Sequence, residues 1–292
     1  MSYWKALIGL LDRPGGRFLL GKIATRVMGG NQVRDVEIAY IDGLWTHRVG
    51  RHFFPDGRRF DYAFGDFDAW KGQMARYVAD TREYWLQHYQ PQEGDVVVDV
   101  GAGWGEDTFT FSRAVGLSGR VIAIEAHPVS FLVLKNFCRL NELSNVTAVH
   151  VALMDRPGTV TIAESESNWQ QNAVNHDSEV PGISISASTL DELCEKHGIK
   201  NIAFLKMNIE GAEHYALRGA RAVMPRIRQI CVACHDFRAD MGHGEQFRTR
   251  AFVSRLLREH GFALISRPDD PRDYVRDHIF GLLPGSSAGP CE

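Results

Sequence analysis

Long hydrophobic runs, paired cysteines and an excess of either charge are all missing from this 292-residue chain. Its longest apolar run near the start, Ala6–Leu11, falls far short of the ~20 residues a membrane-spanning helix needs. Trp4–Leu11 is interrupted by Asp12, Arg13 and Pro14 with no small-residue cleavage site behind it, so no secretory leader is expected. Five cysteines, an odd number in a chain this long, do not make a disulfide framework; a reduced, cytoplasmic protein is expected. A net charge of -3 argues against a general nucleic-acid binder, which is normally strongly basic.

What is present is ordinary globular material. A hydrophobic content of 44% excludes a wholly disordered chain, and the length suits one large domain, or one domain with an extension. Charge is uneven: residues 1–34 hold Lys5, Arg13, Arg17, Lys22, Arg26 and Arg34 against Asp12 alone. With the apolar residues between them, they read either as helix packing on the main domain or as a basic amphipathic segment resting weakly on an anionic membrane. Val36–Tyr40 and Leu44–Val49 flank Asp42-Gly43, a hairpin signal. Ala69–His88 has helical spacing, and its aromatics, without a matching basic excess, suit a core or lid rather than a nucleic-acid platform.

From Asp95 apolar runs alternate with helical stretches, the pattern of a parallel sheet wrapped in helices. Strands are predicted at Val96–Val100, Val121–Glu125, Val146–Val151, Ile202–Asn208 and Gln229–Cys234, with closing strands at Phe262–Ser266 and His278–Leu283. Helices are predicted over Asp107–Val115, Ser130–Glu142, Thr189–His197, Ala212–Val223 and Gln246–His260. The long connection Thr159–Ser188 suggests a hairpin of Val160–Ala163 with Ile183–Ala187 and a polar tip at Glu164–Glu179. Three regions are expected: an N-terminal helical and hairpin extension over 1–90 covering a substrate pocket, the main domain over 91–284, and a frayed tail over 285–292.

The first strand runs into Asp99-Val-Gly101-Ala-Gly103-Trp-Gly105, and a helix follows. Such glycines let backbone N–H groups approach a ligand. A dinucleotide turn reads G-x-G-x-x-G, but Glu106 takes the place of its third glycine. Glu106 and Asp107 repel a pyrophosphate and suit a ligand with an ammonium group. Glu125 ends the second strand, where an acid accepts both hydroxyls of a ribose. Ribose with an amino-acid-like tail points to S-adenosylmethionine. A nicotinamide-dependent dehydrogenase is the alternative from the same strand–glycine–acid logic.

Five stretches carry a family resemblance: GDVVVDVGAGWGEDT (94–108), IEAHP (124–128), LKNFCRLNELSNVTAVHVAL (134–153), TLDEL (189–193) and FLKMNIEGAEHYALRGA (204–220). Over residues 80–283 the chain resembles the FkbM-like methyltransferases, class I S-adenosylmethionine-dependent enzymes. The resemblance implies a Rossmann-like, doubly wound seven-stranded α/β sheet with an antiparallel last strand. It also implies O-methylation of a hydroxyl on a glycan, polyketide or other secondary metabolite. Carried over, Asp99, Gly101, Gly103 and Gly105 hold the methionine end, Glu125 the ribose, and Ala152 and Leu153 flank the adenine. Asn208 and Glu210 match the substrate-side motif, although the family usually has Asp where Asn208 stands. That departure disfavours a divalent metal and leaves open an inert cofactor-binding module.

His235, at the end of a predicted strand, is the candidate base for the acceptor hydroxyl, with Glu210 and Asp236 to orient it. A structural histidine hydrogen-bonded at the strand end is the competing reading. Glu213 reads as a helix-start acid and Lys206 as structural. Cys231-Val-Ala-Cys234-His235 matches a haem-attachment pattern, but alternation along a strand puts its two cysteines on opposite faces.

Overall fold

A computed structural model describes residues 2–32, 34–58, 60, 70–163, 174–175 and 182–284. Two helices, α1 (Ser2–Leu11) and α2 (Arg17–Gly29), precede a three-stranded antiparallel sheet of β1 (Val36–Ile41), β2 (Leu44–Val49) and β3 (His52–Asp56). The Asp42-Gly43 signal is a two-residue turn: Ile41 pairs with Leu44, and the turn residues have φ of 46° and 89°. Pro55 disguises β3 in the sequence; as an edge strand it tolerates the missing N–H. α2 buries Leu20, Gly21, Ala24 and Thr25, and the Ile38 N–H donates to Thr25 Oγ1 at 2.8 Å. A Cβ on Gly21 would stand 2.6 Å from the Ile38 carbonyl, so glycine permits this approach. The helix predicted over 69–88 is shorter, α3 (Gln73–Tyr84), and residue 69 lies outside the described residues.

The central sheet contains β4 (Val96–Val100), β5 (Arg120–Glu125) and β6 (Val146–His150), with α4 (Glu106–Val115) and α5 (Pro128–Leu140) between them. Near-continuous apolar runs form these strands because a parallel sheet is buried on both faces. The predicted third strand breaks at His150, and the chain leaves for a second sheet, β7 (Ala152–Leu153), β8 (Gly158–Ala163), β9 (Val174–Asn175) and β10 (Gly182–Ser188). The predicted hairpin forms within it, Val160 facing Ile185 and Ile162 facing Ile183. Of its predicted tip, 164–173 and 176–179 lie outside the described residues, as do 285–292 of the tail.

The chain returns through α6 (Leu190–Lys196), β11 (Ile202–Met207), α7 (Glu213–Arg218), β12 (Ile227–Ala233), α8 (Asp236–Asp240), α9 (Arg250–Glu259), β13 (Ala263–Ser266), α10 (Asp273–Arg276) and β14 (His278–Leu282). α6 starts in a reciprocal capping box between Thr189 and Glu192. α7 ends well before the predicted Val223, at Gly219, where a Cβ would stand 2.1 Å from the Met154 carbonyl. α9 begins at Arg250 rather than Gln246, capped by Asp236 Oδ1, which accepts from the Thr249 and Arg250 N–H groups. Strand order is β13-β14-β12-β11-β4-β5-β6, and β14 alone runs opposite to the other six strands. The expected doubly wound, seven-stranded α/β architecture with a reversed last strand is therefore observed.

Core residues divide across the sheet. Val98, Ile122, Leu205 and Val232 pack in one cluster, and Val97, Val121, Phe204 and Cys231 in another. Cys231 and Cys234 belong to different clusters, and burial pushes both thiols well above their ordinary pKa. The C-x-x-C-H pattern is thus two core cysteines. Among the described residues no helix is long and apolar enough to cross a membrane.

Candidate active site

The carboxyl ends of β4, β5 and β11 meet at a cavity of about 390 Å³, within the size range of small-molecule sites. Its wall includes Gly101, Gly103, Glu106, Asp107, Glu125, Ala152, Leu153, Lys206, Asn208 and Glu210. Ligands in open parallel sheets sit at these strand ends.

The three glycines of the turn have different jobs. All have positive φ, 72°, 57° and 100° for Gly101, Gly103 and Gly105. A Cβ on Gly101 would stand 1.9 Å from the Asn208 carbonyl, so this glycine lets β4 and β11 close on each other. Gly105 does not line the cavity; a Cβ there would meet Phe137 of α5 at 2.8 Å. Of the three, only Gly103 would accept a Cβ without a clash, its nearest neighbour being Glu106 Oε2 at an ordinary contact distance of 3.6 Å, and it lines the cavity. Of the expected turn glycines, then, Gly103 is the one whose missing side chain leaves room for a ligand.

Glu125 reaches back to this turn. Its Oε2 accepts the Gly103 N–H and its Oε1 the His127 N–H, each at 2.8 Å. These bonds fix the carboxylate against the cavity and leave further lone pairs on both oxygens. Burial pushes its carboxyl up to about 7 despite them. Burial, with Asp107 beside it, also pushes the Glu106 carboxyl up to about 7. The apolar side of the cavity comes from Ala126, Ala152, Leu153 and Ile162, the last three supplied by the second sheet. Ser130 Oγ and Asn208 Oδ1, both on the wall, are buried without a hydrogen-bond partner.

Asp99 lies behind the turn rather than on the cavity wall. It is fully buried, with the Thr108 hydroxyl donating to Oδ2 at 2.6 Å and Lys206 Nζ 3.0 Å from Oδ1. Lys206 Nζ also donates to the Gly101 carbonyl at 2.7 Å and lies 3.5 Å from Asp107 Oδ2. Burial works against this ammonium, but Asp99 and Asp107 outweigh it and raise its pKa. Thr81 of α3 donates to Asp107 Oδ1 at 2.8 Å, tying the N-terminal segment to the site. Lys206 reads as structural in sequence, yet it joins the glycine turn to the acidic wall.

His235 also sits behind the wall. It is buried, with Nδ1 2.9 Å from Glu213 Oε1 and Nε2 3.4 Å from Glu210 Oε1. Burial opposes its charge, but Glu213 and Glu210 outweigh burial and raise its pKa to about 10. An imidazolium with a carboxylate facing each nitrogen is a donor at neutral pH, not the free base expected from the sequence. The partners differ too: Asp236 caps α9, and the fully buried Glu213 takes the place foreseen for it. Glu210 itself has φ of 53° and is held by His235 and Arg238, which outweigh burial and keep its carboxyl below the usual range. Among the described residues, no group of three His, Cys, Asp or Glu side chains is placed to hold a metal ion.

A family description, the methyltransferase FkbM domain, matches residues 99–264 of the chain. No curated protein matches it in sequence. Among solved structures, it is similar to Aeropyrum pernix fibrillarin in complex with natively bound S-adenosyl-L-methionine, at 13% identity and a TM-score of 0.43, covering 88% of this chain and 86% of that one. Methanococcus jannaschii fibrillarin aligns at 14% identity and a TM-score of 0.43, over 85% of this chain and 98% of that one. Precorrin-6y C5,15-methyltransferase from Geobacter metallireducens aligns at 15% identity and a TM-score of 0.39, over 72% and 87% of the two chains.

Proposed function

This chain belongs to the FkbM methyltransferase family, and from that premise we propose that it is an S-adenosylmethionine-dependent O-methyltransferase of a hydroxyl on a glycan, polyketide or other secondary metabolite. One observation carries the cofactor assignment: a single cavity joins an acidic wall of Glu106, Asp107 and Glu125 to an apolar side of Ala126, Ala152, Leu153 and Ile162. A cationic amino-acid tail, a ribose and an adenine match those three surfaces in chemistry. The uncrowded Gly103 on the cavity wall and the orphaned Ser130 Oγ fit a ligand with its own polar groups. Glu106 stands at the start of α4, where the pyrophosphate of a nicotinamide cofactor would need to lie; this favours the methyltransferase over the dehydrogenase.

S-Adenosylmethionine supplies an electrophilic methyl group on a sulfonium. The chain's task is to hold the acceptor oxygen in line with it and to remove a proton, and alignment alone can lower a barrier by up to ~7–11 kcal/mol in well-oriented systems. Glu125 takes the ribose hydroxyls, and Glu106 and Asp107 face the ammonium. Asn208 Oδ1 accepts a neighbouring hydroxyl of the acceptor and so aims the reacting oxygen, whose own proton is left for Glu210. Glu210 is the proton acceptor: the hydroxyl becomes strongly acidic as its oxygen forms the new C–O bond, so an ionised carboxylate suffices. His235 and Arg238 hold Glu210 in place, making His235 a positioning residue. Asn208, in the place of the family's usual Asp, keeps an acceptor atom on the wall, which favours an active enzyme over an inert module.

Residues 1–90 and the 159–188 insertion form the cover of the acceptor site in this reading. Supporting it, Arg58 lies 5.7 Å over the Trp104 ring of the glycine turn, and Ile162 of the insertion reaches the cavity. The test is incubation with S-adenosylmethionine and a metabolite extract, followed by mass spectrometry. The expected result is a gain of one CH₂ on a hydroxylated compound with matching release of S-adenosylhomocysteine. Methylation confined to nitrogen, carbon or sulfur acceptors would refute the O-methyltransferase reading.

A further inference from the structure

α2 has two unlike faces. Leu20, Gly21, Ala24 and Thr25 are buried against β1. On the opposite side run two neighbouring rows at i, i+4 spacing, Phe18–Lys22–Arg26 and Leu19–Ile23–Val27. Phe18 is 78% exposed, Val27 63% and Leu19 53%, an arrangement that hydrophobic burial alone would not leave in water. Leu10, near the end of α1, is a further exposed apolar side chain.

We propose that this outward face of α2 docks the protein peripherally on an anionic lipid bilayer. The choice of partner follows from the mixing of residue types. Lysine is depleted from the cores of protein–protein interfaces. Here Lys22 and Arg26 lie within the apolar rows rather than around them. Long basic side chains can snorkel to headgroup phosphates while neighbouring rings and aliphatic groups enter the acyl boundary. Lys22 can leave its present contact, since its ion pair to Glu37 is long, at 3.4 Å, and exposed. Charge in the surrounding segment has the matching sign, with six cations against Asp12 over residues 1–34. Packing of the helix on β1 and docking on a membrane are thus compatible, one on each face.

The test is flotation of the full chain with vesicles of phosphatidylglycerol and phosphatidylcholine, compared with phosphatidylcholine alone, at low and high salt. The protein is expected to float with the anionic vesicles and to be released by salt. Phe18→Ser with Leu19→Ser is expected to lower the partition coefficient by at least about tenfold. Lys22→Ala with Arg26→Ala is expected to lower it by about fivefold or more. All four side chains are exposed, so both variants should keep the parent's thermal unfolding midpoint and cofactor binding. Equal flotation with neutral vesicles, or flotation unchanged in either variant, overturns the proposal. So does a concentration-dependent dimer that the Phe18→Ser, Leu19→Ser variant abolishes while no vesicle binding is seen, since the face would then belong to a second copy.

Discussion

Replacing Glu125 with glutamine separates its charge from its shape. The carboxylate accepts two backbone N–H groups at 2.8 Å, from Gly103 and His127. An amide keeps one acceptor oxygen and turns an NH₂ toward the other N–H, leaving a buried donor unpaired. With a ribose hydroxyl also losing a charged acceptor, cofactor binding should weaken by ~1.5–3 kcal/mol, or about 10–150-fold in Kd. The pH dependence is the sharper signature. Burial raises the Glu125 carboxyl to about 7 in the free protein, so below that pH the site is protonated and must lose a proton to accept both hydroxyls. Affinity should therefore rise with pH, by about tenfold from about pH 6 to about pH 8 for each carboxyl that must be ionised in the complex. Glu106, also raised to about 7, contributes a second step. Glu125→Gln should remove one step and leave the other, and comparison with the parent cancels titration of the ligand's own ammonium. Calorimetric titration with S-adenosylhomocysteine across that range measures both effects. A folded Glu125→Gln protein with the parent's affinity and pH slope would refute the ribose assignment.

Other variants probe the residues around it. Glu210→Gln should lower turnover by about 10²–10⁴-fold with little change in cofactor affinity, measured by steady-state release of S-adenosylhomocysteine; near-parental turnover would remove Glu210 as the proton acceptor. His235 has its folded pKa raised to about 10 from the ordinary 6.5, so its contribution to stability is complete below 6.5 and is lost as pH rises towards 10. Urea unfolding over that window should show the loss in the parent and not in His235→Gln. Lys206→Met leaves Asp99 and Asp107 facing each other without their cation, and should cost ~3–5 kcal/mol in urea unfolding. Gly103→Ala, whose Cβ meets no clash but whose φ is 57°, should keep the fold and lose cofactor affinity, whereas Gly101→Ala should fail to fold because of the Asn208 carbonyl.

The central sheet was legible because burial on both faces writes a parallel strand as a continuous apolar run: Val96–Val100 and Ile202–Met207 need no partner to be recognised. The turn at Asp42-Gly43 was legible for a different reason, since two successive positive φ values demand such residues. The exit of Ala152–Leu153 into a second sheet was hidden, because a strand's neighbours are set by tertiary pairing and not by its own composition. At the site, the glycines and Glu125 were visible as a local pattern, but their separate roles depend on what each Cβ would meet. Charge states were the least legible part. Glu213 looks like an ordinary helix-start acid, and only its burial beside His235 makes an imidazolium of a candidate base. Lys206 looks like a strand lysine until Asp99, Asp107 and the Gly101 carbonyl surround it. The acidic pair at 106–107 was readable in sign from the sequence alone, and the structure puts both on the cavity wall.

The most direct measurement is calorimetric binding of S-adenosylhomocysteine to the intact chain at a pH near 8, where Glu106 and Glu125 are ionised. One-to-one binding that is lost in Glu125→Ala and retained in His235→Gln is the predicted result. A folded parent protein that takes up no S-adenosylhomocysteine, or binds it equally well without the Glu125 carboxylate, would contradict the assignment of this cavity.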